Sequence, residues 1–126
     1  MNEHHESQDN EAVRILTVRA TLSRVTISVD DRELSLSDTE CRILFCLGIL
    51  RGKFVLQRRL VRRVYGQTAS RDPVWHLEQD VAHLRMKLEI LLGIDPIGYV
   101  ADQGYCLADS FEIVMEDAPA DPAAQP

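Results

Sequence analysis

The spacing of the hydrophobic residues changes along this chain from an alternating pattern to a helical one. Between residues 13 and 36 apolar positions alternate with polar ones, as at Val25, Ile27 and Val29, which is typical of strands with one buried face. The pair Asp30-Asp31 is a turn signal between two such runs. The pattern predicts a small antiparallel sheet of about three strands at the start of the folded region.

Three segments with helical spacing follow the predicted sheet. The first begins at a capping box, residues 37–40, and the second covers Gln57–Tyr65. The third begins at Asp72-Pro73, an N-cap acid followed by a proline, and ends at Gly93. A single apolar stripe predicts the buried face of the third helix, and it consists of Leu77, Val81, Leu84, Leu88 and Leu91.

The helices are followed by a predicted β-hairpin. Residues 97–101 and 105–108 read as two short strands around a tight turn, in which we expect Gly104 to adopt a positive φ. This order of elements predicts an α+β fold, a winged helix-turn-helix with an N-terminal antiparallel β-sheet, three helices and a C-terminal β-hairpin wing.

The charge is distributed unevenly over the 126 residues. The formal net charge is −6, but residues 51–88 hold nine basic and three acidic residues. We place one winged-helix domain at residues 12–108. An acidic N-terminal tail, 1–11, precedes it and an acidic tail rich in alanine and proline, 109–126, follows it, and both tails are predicted to be disordered. The basic middle segment is therefore compatible with a polyanionic ligand, because the local electrostatic field matters more for binding than the total charge.

Several classes of function find no support in the sequence. The three cysteines, Cys41, Cys46 and Cys106, lack the paired spacing of a metal site, and no apolar run approaches the roughly 20 residues of a bilayer span. There is no glycine-rich phosphate loop, and no histidine stands in a nucleophile-and-carboxylate pattern. We therefore expect no enzyme activity, cofactor, metal or membrane partner, and a cytoplasmic, nucleoid-associated protein.

Three segments carry a resemblance to a known family: residues 34–40, residues 81–88 and residues 97–107. Together they resemble the C-terminal effector domain of OmpR/PhoB-type bacterial response regulators over about residues 13–108. The resemblance implies DNA binding, with the third helix in the major groove and the wing near the minor groove. The sequence shows no receiver domain, so we expect a stand-alone effector domain.

The second helix has the clearest basic surface. Its four arginines, Arg58, Arg59, Arg62 and Arg63, are predicted to share one face with no acid between them. Each guanidinium offers a bidentate fork to a phosphate, so the face would clamp a nucleic-acid backbone. The alternative is the solvated face of an ordinary amphipathic helix.

The third helix supports two interpretations. Opposite its apolar stripe it carries Gln79 and His83, which could read base edges, with Trp75 beside them; Arg71, Arg85 and Lys87 could reach phosphates. Members of the family usually carry more basic residues here. The same face would serve as a protein interface through Trp75, Met86 and Ile90.

The predicted wing departs from the family pattern. Ala101 and Cys106 stand where the family tends to have arginines, and Asp102 at the tip would repel phosphates. Minor-groove contact is therefore not expected from this hairpin.

We predict a bacterial DNA-binding transcriptional regulator that binds duplex DNA, as a homodimer on repeated half-sites. The resemblance allows a contact with RNA polymerase through residues 67–71. The alternative is a degenerate winged helix that acts as a protein–protein interaction module, an adaptor or anti-activator of another transcription regulator. For the C-terminal tail, an alternative to disorder is that residues 112–117 fold back on the arginine face and compete with DNA.

Overall fold

The computed structural model describes residues 13–66 and 71–117, and it confirms the predicted α+β winged-helix architecture. The elements in chain order are β1 (Arg14–Ala20), β2 (Val25–Val29), β3 (Arg32–Leu36), α1 (Asp38–Ile49), α2 (Gln57–Tyr65), α3 (Pro73–Leu92), β4 (Ile97–Val100), β5 (Gly104–Leu107) and β6 (Phe111–Asp117).

β1, β2 and β3 form the antiparallel sheet that the alternating pattern predicts. β2 lies in the middle, where Ile27 faces Val18 of β1 on one side and Leu34 of β3 on the other. Asp30 adopts a φ of 56° in the turn between β2 and β3, a conformation that aspartate tolerates better than most residues. β6 joins β1 in parallel, so the strand order is β3-β2-β1-β6.

The hydrophobic core lies between this sheet and the three helices. All five residues of the apolar stripe on α3 are buried, as predicted. Leu16 and Ile27 meet them from the sheet, and Ile43 and Leu47 from α1. α3 is thereby fixed along its length, and its opposite face points outward.

Glu40 joins three elements at the edge of the core. Its backbone N–H donates to Ser37 Oγ at 3.0 Å and its carboxylate accepts from the Ser37 N–H at 2.8 Å, which is the predicted capping box of α1. Lys87 Nζ of α3 donates to the same carboxylate oxygen at 2.7 Å and to the Ser35 carbonyl of β3 at 2.9 Å. Only 5% of Glu40 is exposed, so the end of β3, the start of α1 and α3 are held by one buried carboxylate.

The hairpin of β4 and β5 is attached to the segment before α2. The Val55 N–H donates to the Tyr105 carbonyl at 2.7 Å, and the Tyr105 N–H donates back to the Val55 carbonyl at 3.0 Å. Gly104 has the expected positive φ, 99°, and a Cβ there would lie 2.0 Å from the Val55 carbonyl oxygen. Glycine is therefore required both by the turn and by the approach of the two backbones.

The prediction of a disordered tail from residue 109 is wrong for residues 111–117, because these form β6. Phe111 is 3% exposed, and Ile113 packs against Gly48 of α1. The strand pairs with β1 at the far end of the sequence, so the local pattern does not show where it packs. Residues 1–12, which include the predicted N-terminal tail, and residues 118–126 lie outside the described residues.

β6 also fails to cover the arginine face of the second helix. Its exposed acids pair elsewhere: Glu112 lies 3.5 Å from Arg51, and Glu116 lies 2.6 Å from Arg19. The alternative prediction, that residues 112–117 fold back on the α2 arginines through their charges, is therefore wrong for these two acids.

We predict that Phe111→Ala lowers the free energy of unfolding by about 3 kcal/mol, because it leaves a cavity where the buried Phe111 ring of β6 fills the core. The measurement is urea unfolding followed by circular dichroism. Val114→Ala, at a partly exposed position of the same strand, is the control and should change stability by less than about 0.5 kcal/mol. Equal and small effects of both substitutions would mean that β6 does not form.

We predict that Lys87→Ala destabilises the fold by about 2 kcal/mol, because it leaves the buried Glu40 carboxylate without its cation. Arg24→Ala is the control, since its contact with Glu33 is exposed and 3.9 Å long and contributes at most about 1 kcal/mol. Both variants are compared by urea unfolding. Equal stability of the two variants would contradict a structural role for Lys87.

Candidate nucleic-acid interface

The outward face of α3 brings together the side chains that the sequence grouped there. Gln79 and His83 are exposed along the middle of the helix. Three large apolar residues accompany them, with exposed fractions of 51% for Trp75, 53% for Met86 and 61% for Ile90. The helix begins at a capped N-terminus, where the Trp75 N–H donates to Asp72 Oδ1 at 3.2 Å. This face is therefore exposed, continuous and mainly apolar.

The two basic residues of α3 are occupied within the molecule. Arg85 Nε lies 2.7 Å from Asp95 Oδ2, and Lys87 is bonded to Glu40 and to the Ser35 carbonyl. The positive charge of each is therefore partly neutralised by an acid of the same molecule. Both lie beside the outward face of α3, as predicted, and the structure gives each of them a partner.

Asp80 of α3 has a partner within the molecule as well. The Tyr65 hydroxyl at the end of α2 donates a hydrogen bond to Asp80 Oδ2. Burial, and to a smaller extent this hydrogen bond, raises the pKa of Tyr65 well above its ordinary value. The phenol therefore stays protonated and keeps donating. Asp80 therefore fixes the angle between α2 and α3, and its carboxylate is engaged at this contact.

The four arginines of α2 are all exposed, and none forms an ion pair with another residue in 13–66 or 71–117. At about 100° per residue, the four side chains together span about 140° of the helix surface. Arg59 and Arg63 line a cleft of about 160 Å³ against α1, together with Cys46 and Ile49. Arg58 and Arg62 lie about 100° further round the helix. The start of α2 is close to α3, because Gln57 Nε2 lies 3.5 Å from Glu78 Oε2.

The turn of the hairpin exposes Ala101, Asp102 and Gln103. No basic residue occurs between residues 97 and 107, so the hairpin brings no cation to a phosphate. Of the loop predicted to contact RNA polymerase, only Arg71 belongs to the described residues, and it is exposed at the entrance to α3. The predicted lack of minor-groove contact remains a prediction.

The sequence reasoning missed a second concave surface, which we name the α1 groove. It has a volume of about 500 Å³ and lies between α1, the end of α2 and β6. No local signal could have found it, because it depends on the position of β6. Its lining residues are Cys41, Arg42, Phe45, Cys46, Arg63 and Met115.

The described part of the chain lacks two other kinds of feature. Among residues 13–66 and 71–117, no group of three or more histidine, cysteine or acidic side chains is arranged to hold a metal ion. Within the same ranges, no helix combines the length and the apolar composition needed to cross a bilayer.

Comparison with known proteins gives matches in structure alone. No family model and no curated protein matches the sequence. The C-terminal domain of the nisin resistance regulator NsrR, a lantibiotic response regulator, matches with a TM-score of 0.59 and 28% identity, covering 73% of this chain and 92% of that domain. The DNA-binding domain of E. coli CadC matches with a TM-score of 0.58 and 23% identity, covering 65% of this chain and 77% of that one.

A third match is the DNA-binding domain of the response regulator AdeR in complex with an intercistronic region. Its TM-score is 0.54 at 22% identity, and the match covers 72% of this chain and 93% of that domain. These domains share the element order described above: the strands, three helices and the closing hairpin. The chain therefore has the winged-helix fold of the OmpR/PhoB-type effector domains.

Proposed function

We propose that this protein is a DNA-binding transcriptional regulator that binds duplex DNA with α3 in the major groove. The observation that carries the proposal is the free outward face of α3. It lies on a fold shared with the AdeR domain, which was solved in complex with an intercistronic region. A helix of 20 residues is about 30 Å long, and the major groove of about 12 Å width admits it.

The side chains on this face suit base reading more than phosphate binding. The Gln79 amide can both donate to and accept from an adenine edge, and the His83 imidazole can do either according to its tautomer. Ala82, between them on the exposed face, offers a methyl group to a thymine methyl. In this proposal α3 recognises sequence and contributes little to the electrostatic attraction.

Electrostatic attraction to the phosphates of the DNA then depends on cationic side chains outside α3. Arg58 and Arg62 of α2 and Arg71 at the entrance to α3 are exposed, and none pairs with an acid among the described residues. Three phosphate contacts correspond to a slope of about −3 for log K against log salt. So few contacts favour binding as a homodimer on repeated half-sites, since one such module supplies limited affinity.

The alternative function is a protein–protein interaction module, an adaptor or anti-activator of another regulator. The observation that favours it is the apolar character of the α3 face. Trp75, Met86 and Ile90 are each more than half exposed, and both basic residues of the helix are held in internal ion pairs. Large apolar side chains at such a position are typical anchors of a protein interface.

We expect Arg62→Gln to weaken binding to random-sequence duplex DNA and to reduce the magnitude of the salt slope by about 1, because one phosphate contact is lost. Arg24→Gln is the control, since Arg24 is an exposed arginine in the turn between β1 and β2 and belongs to neither α2 nor α3. Fluorescence anisotropy from low to physiological salt gives both slopes. If the two variants have the same slope as the natural protein, Arg62 does not contact phosphate.

We expect Met86→Glu to reduce affinity for duplex DNA at least about tenfold, because it places a carboxylate on the α3 face that enters the groove. Ile15→Glu adds the same charge on the outer face of the sheet and should leave affinity within about twofold. Each variant is titrated by anisotropy at constant salt. If Met86→Glu leaves the affinity for DNA unchanged, α3 does not enter the major groove, and the protein-binding alternative is favoured.

A further inference from the structure

The α1 groove is an apolar surface with one open side. Its floor is the exposed side of α1, where Phe45 is 45% exposed. Ile49, one helical turn further along and 60% exposed, lines the adjoining cleft. Arg63 of α2 forms one wall. Met115 of β6, 43% exposed, forms the other. Nothing in the proposed DNA contact of α3 uses these side chains.

The wall formed by β6 is the edge of the four-stranded sheet. Arg14 N–H donates to the Ser110 carbonyl at 2.8 Å, so in the parallel ladder the backbone groups of residues 112, 114 and 116 point to β1. The backbone groups of Ile113 and Met115 therefore point away from the sheet. Arg51 donates to the Phe111 carbonyl at 3.5 Å, and beyond it no strand of residues 13–66 or 71–117 pairs with this edge.

The charge of the groove is positive. Arg42 and Arg63 line it, Arg59 lines the adjoining cleft, and no acid lines either surface. The acids of β6 do not neutralise these arginines, because Glu112 pairs with Arg51 and Glu116 pairs with Arg19. A carboxylate that enters the groove would meet two guanidinium groups next to an apolar floor.

We propose that the β6 edge and the α1 groove together bind an extended, acidic and apolar segment of a partner protein. The segment adds as a strand to β6 and hydrogen-bonds to the free backbone groups of Ile113 and Met115. Because alternate side chains of a strand share one face, its inward residues lie on Phe45 and present a carboxylate to Arg63.

A partner protein fits this surface better than a second copy of the chain. The β6 strand of a second copy has the right apolar residues, but its neighbouring Glu112 and Glu116 are paired to arginines of their own molecule. It would bring no free carboxylate to Arg63. The proposal is independent of the proposed DNA binding, which uses α3 and the other side of α2.

The test uses a fluorescent heptapeptide in which threonine alternates with valine, glutamate and valine, and a matched peptide with lysine in place of the glutamate. We expect the glutamate peptide to bind the natural protein at least about tenfold more tightly than the lysine peptide. Arg63→Glu should reverse that preference, because the exposed guanidinium is replaced by a carboxylate without a change in the core.

Met115→Pro tests the backbone contact. It removes an N–H that points to the open edge and none that bonds to β1, so the strand should survive, as proline does at sheet edges. We expect it to abolish binding of the glutamate peptide. Ile15→Glu, on the other face of the sheet, should leave peptide binding unchanged, and circular dichroism establishes that each variant is folded.

The cysteines give a second measurement of where the peptide lies. Cys41 and Cys46 line the groove, whereas Cys106 lies on β5 outside it, and burial raises the pKa of all three thiols. At mildly alkaline pH the glutamate peptide should slow alkylation of Cys41 and Cys46 and leave that of Cys106 unchanged. Slowing of all three thiols would contradict binding at the groove.

Three outcomes overturn the proposal. The first is no binding of the glutamate peptide at about 1 mM, where the free energy of binding is about −4 kcal/mol. The second is equal binding of the glutamate and lysine peptides, or binding that Met115→Pro leaves intact. The third is a dimer in sedimentation equilibrium that Met115→Pro dissociates, which would assign the edge to a second copy. Loss of DNA binding by Arg62→Gln or Met86→Glu bears on α3 alone and leaves this inference in place.

Discussion

The buried carboxylate of Glu40 is the contact on which the arrangement of this domain depends. It caps α1 through Ser37 and accepts from Lys87 of α3, which also bonds to the last residues of β3. A charge that is only 5% exposed is costly unless its partners are in place, so the sheet, α1 and α3 can assemble in few other ways. The outward direction of α3, and therefore any use of its free face, follows from this junction.

The same contact explains the unusual electrostatics of the candidate interface. Lys87 and Arg85 are the only basic residues of α3, and both are committed to acids of the same molecule. The exposed face is left with Gln79, His83 and apolar side chains. Attraction to a polyanion has to come from α2 and from the entrance to α3. Arg59 and Arg63 lie beside α1 and so contribute less to this attraction. Arg63 and Arg42 give the α1 groove its positive charge.

Local patterns in the sequence were sufficient for most of the fold. The capping box at Ser37, the proline at the start of α3 and the turn glycine at 104 each determine backbone geometry within a few residues, and the structure has all three. β6 was missed because its stability comes from pairing with β1 and from the burial of Phe111 in the shared core, both of which are distant in sequence. For the candidate site, helical periodicity correctly placed Trp75, Gln79 and His83 on one face. It could not show that Arg85 and Lys87 are paired, or that Arg59 and Arg63 of α2 line a cleft against α1, because those facts depend on neighbours outside the helix.

The most direct test of the central claim uses the single tryptophan of the chain, Trp75, which is 51% exposed on the outward face of α3. Its fluorescence is recorded while duplex DNA is added at low salt, with anisotropy of labelled DNA measured in parallel. If α3 enters the major groove, the emission should change in intensity or wavelength, saturate together with the anisotropy, and return when salt is raised. DNA binding without any change in the Trp75 emission, or no DNA binding at low salt, would contradict the account and leave the α3 face to a protein partner.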